Sequence, residues 1–140
     1  MSLNENSEDS GYNCGRLLAL IESAQLKHHG GKEPGTTVVD RYYGRASSAP
    51  GLVFGSIMAE YQIWRSGIEN RGAAYRIDEA VRDVIAKLGD AFPSTLTIEQ
   101  QGRFALGYYH QKGKNALDAR QHAQASAEPA EQTQHEAAEE

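Results

Sequence analysis

The residues of this 140-residue chain with the clearest chemical potential are basic side chains placed beside tyrosines. Residues 41–45 read RYYGR, and residues 108–114 read YYHQKGK. Cationic side chains neutralise phosphates, and aromatic rings stack on bases, so this pattern is typical of a surface that holds a nucleic-acid strand. The predicted nucleic-acid-binding residues are Arg41, Arg45, Arg65, Arg71, Arg76, Lys112 and Lys114. The alternative, equally compatible with composition, is that the tyrosines are core residues and the basic groups are merely solvated.

Catalytic and metal-binding patterns are weak by comparison. Cys14 is placed at a predicted helix start, where a thiolate is favoured, but no base accompanies it and a structural role is the better interpretation. His28 and His29 end a helix, where cations are favoured, and His110 could titrate near an anion. Neither a zinc spacing nor a glycine-rich nucleotide loop occurs. The sequence therefore predicts neither an enzyme nor a metal or cofactor site.

Charge is unevenly distributed along the chain. There are 14 Lys/Arg and 19 Asp/Glu, which gives a formal net charge of −5. Residues 1–10 carry three acids and no base, and residues 118–140 carry six acids and one arginine. Residues 11–117 carry 13 basic and 10 acidic residues, so the central part is at +3. An acidic whole chain therefore does not argue against nucleic-acid binding.

Composition also bounds the class of protein. The hydrophobic fraction is 39% and the mean hydropathy is −0.61, values compatible with one modest core. No apolar run approaches the roughly 20 residues that span a bilayer, and the polar N-terminus does not read as a secretory signal. A single cysteine excludes an internal disulfide framework. We expect a cytoplasmic protein with a flexible N-terminus (1–10), a helical domain (11–117), and a frayed helix end with a disordered acidic tail (118–140).

Helical periodicity predicts a compact all-α bundle of about five helices. The predicted helices span residues 13–29, 37–44, 50–68 and 73–88, with a fifth that begins at residue 97. Thr97 and Gln100 are placed to form a capping box at that fifth helix. A stop is expected at Pro129, because proline interrupts helices. The predicted inward positions of the third and fourth helices are Val53, Ile57, Tyr61, Trp64, Ile68, Ile77, Val81, Val84, Ile85 and Leu88.

Glycines inside the fifth predicted helix need a reason, because each costs about 1 kcal/mol relative to alanine. These are Gly102, Gly107 and Gly113. Close approach of another helix or of a partner's backbone would offset that cost. For Gly102 we predict internal packing, since it shares a face with Ile98 and Ala105.

Three segments resemble one protein family in order and spacing. They are NCGRLLALIE (13–22), DRYYGRASSAPGLVF (40–54) and EQQGRFALGYYHQK (99–112). They are similar to the C-terminal region of the type I-C CRISPR–Cas large-subunit family, and the third segment is the most specific. The resemblance covers about residues 3–115.

The resemblance implies a non-catalytic role within a crRNA-guided surveillance complex (Cascade). The chain lacks the large N-terminal region that the family uses to recognise the protospacer-adjacent motif, and it begins at Met1 just before the helical region. This is similar to a small subunit translated separately from an internal start. Such a subunit would lie in several copies along the inner belly, against the backbone subunits and the large subunit. It would hold the displaced non-target DNA strand and so stabilise the R-loop. The crRNA would be only an indirect partner of this subunit.

Two alternatives remain open from the residues. The chain could be a purely structural scaffold between Cascade subunits, with its basic groups on acidic protein surfaces and no direct DNA contact. It could also be an enzyme such as a nuclease, although no acid–base or metal constellation supports that interpretation.

Overall fold

A computed structural model describes residues 2–89 and 91–139 of the chain, with side chains over residues 2–89 and 91–123. In these ranges it contains helices and no strand, which confirms the predicted all-α bundle. The five helices are α1 (Ser10–His28), α2 (Val38–Ser48), α3 (Pro50–Ser66), α4 (Arg71–Leu88) and α5 (Ile98–Glu139). No helix within the described residues is both long enough and apolar enough to cross a membrane.

The central element is α1, which contacts each of the other four helices. The consecutive side chains of Leu17, Leu18, Ala19 and Leu20 are at most 3% exposed, although successive residues point in different directions around the helix. A helix in the middle of a bundle is apolar on all sides rather than along one stripe. Leu17 and Ile21 lie one turn apart on one face of α1, and this face is only part of the buried surface of the helix.

Glycines bring α1 and α5 into close contact. A Cβ built on Gly15 of α1 would lie 2.9 Å from the Phe104 carbonyl carbon, and one on Gly107 of α5 would lie 2.8 Å from that of Tyr12. Each would come closer still to the carbonyl oxygen of the same residue. Only glycine permits this backbone approach. The prediction for Gly102 is wrong: it is exposed, and a Cβ there would meet no atom within 4 Å.

The starts of α3 and α5 follow the predicted signals, whereas α1 begins at Ser10, three residues before the predicted start at residue 13. The predicted capping box is confirmed, because the Thr97 amide donates to Gln100 (2.9 Å) and the Gln100 amide to the Thr97 hydroxyl (3.2 Å). Pro50 occupies the first turn of α3, where its missing N–H has no cost. Asp9 caps α1 through the Tyr12 amide (2.8 Å). Each cap fixes the residue at which its helix begins.

Packing of α3 and α4 also follows the predicted pattern. Eight of the ten predicted inward side chains are buried, and Ile85 and Leu88 are partly buried against the core. The predicted boundary at residue 118 falls inside α5. The predicted stop at Pro129 is wrong, because α5 continues through that residue to Glu139. The predicted disordered tail concerns mainly residues 124–140, whose side chains lie outside the described residues. The division of the chain at residues 10 and 117 stays a prediction.

Candidate nucleic-acid interface

The seven cationic residues predicted to bind nucleic acid lie in three different settings. Three surround a group of tyrosines shared by α2 and α5, and two line a groove between α4 and α5. The remaining two, Arg65 and Arg71, are engaged in contacts within the chain. One chain therefore does not present all seven as a single exposed row.

The first setting is a surface that we call the tyrosine face. Its residues are Arg41, Tyr42, Tyr43 and Arg45 of α2 and Tyr108, Tyr109 and Lys112 of α5. The Tyr43 ring holds the two helices together, since it packs edge-on against Phe104 and Tyr108 with centroid distances of 5.3 and 5.4 Å. Tyr108 is buried, whereas the neighbouring Tyr109 is 64% exposed. The tyrosines are thus divided between the core and solvent, and the role of the exposed ring in nucleic-acid binding stays a prediction.

Two of the three cations on the tyrosine face have partners. The Arg41 guanidinium lies 5.1 Å from the centre of the Tyr42 ring and forms an ion pair with Glu60. The Lys112 ammonium lies 5.5 Å from the centre of the Tyr108 ring and 3.7 Å from the Glu22 carboxylate. These exposed pairs are weak, because solvent screens them. The side chains of Arg41 and Lys112 are themselves 39% and 56% exposed, so an incoming phosphate can reach both.

Arg45 completes the tyrosine face. It is exposed, four residues after Arg41 on the same helix, and forms no ion pair within the described part of the chain. On α5, the Tyr108 hydroxyl donates to Glu22 (2.8 Å). Burial, together with that carboxylate, raises the pKa of Tyr108 above its usual range. Tyr108 therefore stays neutral and acts as a fixed support for the cations around it.

Arg65 belongs to an internal ion-pair network centred on Asp78. Its guanidinium donates to Asp78 (2.9 Å), as do the Tyr61 hydroxyl (2.8 Å) and Arg82 (2.8 Å). Burial opposes ionisation of the Asp78 carboxyl, but these hydrogen bonds and the two cations outweigh it and lower its pKa. Asp78 and Arg82 lie four residues apart on α4, which places them on one face of that helix. Arg65 comes from α3, so its pair with Asp78 joins α3 to α4.

Arg71 completes the end of a helix. Its guanidinium donates to the backbone carbonyls of Ile68 (2.9 Å) and Arg65 (3.3 Å), just where α3 ends. The last carbonyls of a helix have no partner inside the helix, and a cation there is favoured by the helix dipole. The structure therefore gives Arg71 a capping role.

The second setting is a groove of about 980 Å³ whose floor is α1 and whose walls are α4 and α5. Arg76 and Lys114 lie in this groove, and Lys114 also pairs with Asp118 (2.8 Å). The cationic residues lining it are Arg16, Lys27, Arg76, Lys87 and Lys114. The acidic residues lining it are Glu5, Glu8, Asp83 and Asp118. The two signs nearly balance, unlike the tyrosine face.

Arg16 lies at the floor of this groove and is only 5% exposed. Its Nε donates to the side-chain oxygen of Gln111 (3.0 Å), whereas its Nη1 is buried and has no hydrogen-bond partner among the described residues. Burial lowers the pKa of the Arg16 guanidinium, although the charges of Glu5 and Asp83 act in the opposite direction. A buried charge with an unused donor is unusual, because such groups normally have full sets of partners.

Sequence reasoning missed Arg16, Lys27 and Lys87 as neighbours of Arg76 and Lys114. A signal for Arg16 was present: it interrupts the otherwise apolar run that begins at Cys14. Such an arginine is either paired in the core or directed to a partner. Lys27 and Lys87 could not be grouped by spacing, because they lie on different helices, α1 and α4.

The remaining candidates have structural surroundings. Cys14 is fully buried, and burial, with the Asp9 charge, raises the pKa of its thiol to about 12. The Nδ1 atom of His110 lies 2.9 Å from the Tyr12 hydroxyl. Arg103 donates to Asp9 (2.8 Å) rather than to Glu99, and so ties α5 to the cap of α1. Within the residues that the structure describes, no group of three His, Cys, Asp or Glu side chains is placed to hold a metal.

Comparison with known protein families places this fold. A family model for a CRISPR-associated protein matches residues 1–116, which include α1 to α4, the start of α5 and the whole tyrosine face. The helical bundle is thus that of a CRISPR-associated protein. The chain belongs to the Cas_Csd1 family. No curated protein is significantly similar to it. The resemblance to a CRISPR–Cas family, which rested on three segments, is confirmed at the level of the family.

Proposed function

We propose that this chain is the small subunit of a type I-C Cascade and that it holds the displaced non-target DNA strand. It acts in the cytoplasm as part of antiviral defence, without catalysis and without reading sequence. It lines the inner belly of the complex in several copies, between the backbone subunits and the large subunit. The family match supports a CRISPR role, and the resemblance of residues 99–112 favours the small subunit.

The observation that carries the DNA-binding part of the proposal is the tyrosine face. Its cations belong to two packed helices: Arg41 and Arg45 lie one turn apart on α2, and Lys112 lies on α5, which also carries the exposed Tyr109 ring. Arg45 has no acidic partner in the described chain, and the pairs of Arg41 and Lys112 are exposed. Cations that track a backbone beside an aromatic platform are how proteins hold single strands without sequence preference.

Such a surface is sufficient for R-loop stabilisation. The guide RNA reads the sequence by base pairing, so the protein needs only to retain the strand that pairing displaces. Exchange of a DNA duplex for an RNA–DNA heteroduplex is nearly balanced in free energy, and a few contacts shift it. Stacking of one base on Tyr109 contributes about 1–3 kcal/mol. One chain, with a central charge of +3, binds weakly; several copies raise the avidity.

The second candidate function is a structural scaffold with no DNA contact. It is favoured by the number of predicted DNA-binding residues that are already paired within the chain. Arg65, Arg71 and Lys114 each have a defined internal partner. Under this interpretation the tyrosine face binds acidic side chains of neighbouring subunits.

The test is the triple variant Arg41→Ala, Arg45→Ala and Lys112→Ala in the assembled complex. Loss of three contacts to single-stranded phosphates should lower the slope of log affinity against log salt by about 2. Target-DNA affinity should fall most at low salt, and the complex should still assemble. A matched control is Lys32→Ala, Arg82→Ala and Arg120→Ala, which removes three exposed charges elsewhere.

The outcomes separate the two functions. If the triple variant loses assembly before any change in DNA retention, the scaffold is the correct function. If affinity and salt slope match those of the control variant, the tyrosine face does not contact DNA. Absence of catalysis is tested separately: the complex without its nuclease partner, given a divalent cation and target DNA, should leave both strands intact.

A further inference from the structure

The groove defined by α1, α4 and α5 is long enough to hold one further helix. Both α4 and α5 pack on α1, but no contact between α4 and α5 is present within the described residues. The lining runs from Arg16 to Lys27 along the floor and from Ala73 to Lys87 along one wall. At 1.5 Å per residue these stretches are about 17 and 21 Å long, which corresponds to roughly three helical turns.

Side-chain size along the groove also suits a helix. Small residues are spread over all three of its sides: Ser23 on α1, Ala73 and Ala80 on α4, and Ala119 on α5. Helices pack with their axes 8–10 Å apart only where small side chains leave room. A fourth helix seated here would touch three helices at once, as a core helix does.

Arg16 supplies the chemical specificity. Its Nη1 donor is buried and unpartnered, although the side chain lines the groove. Leaving a buried charged donor unsatisfied costs more than the net gain from an ordinary hydrogen bond. The acceptor that best satisfies an arginine is a carboxylate, which takes two parallel N–H bonds. Neither Glu5 nor Asp83, the nearby acids, forms that bond in this structure.

Charge argues for a protein partner rather than a nucleic acid. A strand carries a negative charge at each nucleotide and would meet Glu5, Glu8, Asp83 and Asp118 along the groove. A helix can carry one central acid for Arg16 and basic or neutral residues opposite the four carboxylates. We propose that the groove between α4 and α5 docks a helix of another complex subunit, which places a carboxylate on Arg16.

This inference rests on the proposed membership of a multi-subunit complex, but not on DNA binding. The test variant is Arg16→Met, which keeps the length of the side chain and removes its donors. Without a partner, Arg16 is an uncompensated buried charge, so the isolated variant should melt at the same temperature as the native chain or higher. Its incorporation into the DNA-free complex, titrated as purified chain into complex lacking it, should weaken by about 30-fold or more. Lys32→Met, an exposed change outside the groove, should stay within about twofold.

A second measurement keeps Arg16 and locates the partner. Ala80→Cys and Ala119→Cys place a thiol on each wall, and Cys14 is too buried to compete. Both thiols should lose reactivity towards a maleimide upon assembly, and a photo-crosslinker attached to them should reach one acidic helical segment of a partner protein.

Crosslinks to RNA or DNA, or thiols that stay reactive in the complete complex, would overturn the docking inference while leaving the tyrosine face intact. Protected thiols together with normal DNA retention in the triple variant of the tyrosine face would instead overturn the proposed DNA contact alone.

Discussion

Two glycines of α5 should respond in opposite ways to the same substitution. Gly107 faces α1, and a Cβ there would lie 3.1 Å from the Tyr12 Cα and 2.8 Å from its carbonyl carbon. Gly102 lies earlier on the same helix and meets no atom within 4 Å. Replacing a helical glycine with alanine at either position stabilises the helix by about 1 kcal/mol. Only at Gly107 does the added methyl group collide with another helix.

The magnitude follows from what can move. The atoms that the new methyl group meets at position 107 are backbone atoms, so no rotamer change relieves the overlap. The helices α1 and α5 must separate, and overpacking of this kind costs about 1–3 kcal/mol. We expect the upper part of that range, because separation loosens the whole contact between the two helices. After the gain in helix propensity, Gly107→Ala should be about 1–2 kcal/mol less stable than the native chain, and Gly102→Ala up to about 1 kcal/mol more stable.

The measurement is urea unfolding followed by far-UV circular dichroism, with thermal melting as a second readout. The two variants should differ by about 2–3 kcal/mol, which corresponds to a difference in melting temperature of about 10 °C. Their m-values should agree, since neither change alters the surface exposed on unfolding. If Gly107→Ala is as stable as Gly102→Ala, α1 and α5 do not approach as closely as the structure indicates.

Three further predictions concern the internal contacts. Asp78→Asn should lose about 2 kcal/mol near neutral pH. Because the pKa of Asp78 is lowered in the folded chain, its carboxylate stabilises the fold above the unfolded pKa of about 3.9, and this stabilisation is lost as the pH falls through the folded pKa. If the stability difference between the variant and the native chain stays constant in urea titrations down to about pH 2, this assignment is contradicted. The Cys14 thiol should react with a thiol reagent only at the rate of unfolding, since it is fully buried with a pKa raised to about 12; rapid labelling in native buffer would disprove it. Arg71→Ala should lower stability by about 1 kcal/mol and leave the salt slope of DNA binding unchanged. Arg45→Ala should lower the salt slope and leave stability unchanged. Equal effects of the two variants on both readouts would refute the division into a capping and a DNA-binding arginine.

Much of the fold could be predicted because local signals and burial agree. The inward stripes of α3 and α4 follow from helical spacing, and Thr97 with Gln100 marks the start of α5. The central position of α1 could not be predicted from one stripe, because burial on every side erases the periodicity that reveals a face. The close contact at Gly15 could not be predicted either. Every glycine in a helix lowers helix stability by a similar amount, and the sequence does not show which of them faces another helix.

The candidate site was less predictable because ion pairing is set by tertiary structure. Spacing along a helix places Asp78 beside Arg82, but it cannot show that Arg65 of the preceding helix shares the same carboxylate. Nor could it show that Arg71 caps α3, since that requires the turn between α3 and α4. Charge and residue type can only select candidate residues. Which cations remain accessible depends on contacts between helices.

The buried polar residues of α1 explain why Arg16 differs from the other charges of the chain. Asn13 donates to the Ser7 carbonyl (2.9 Å), and Gln25 accepts from the Val38 amide (2.8 Å). Each of these bonds fixes one neighbouring segment on the central helix, because an unmade buried hydrogen bond would be costly. Arg16 does the same for α5 through Gln111, yet a neutral side chain could donate that single bond as well as a guanidinium does. Folding alone therefore gives no reason for a buried charge at this position, and a carboxylate brought by a partner does.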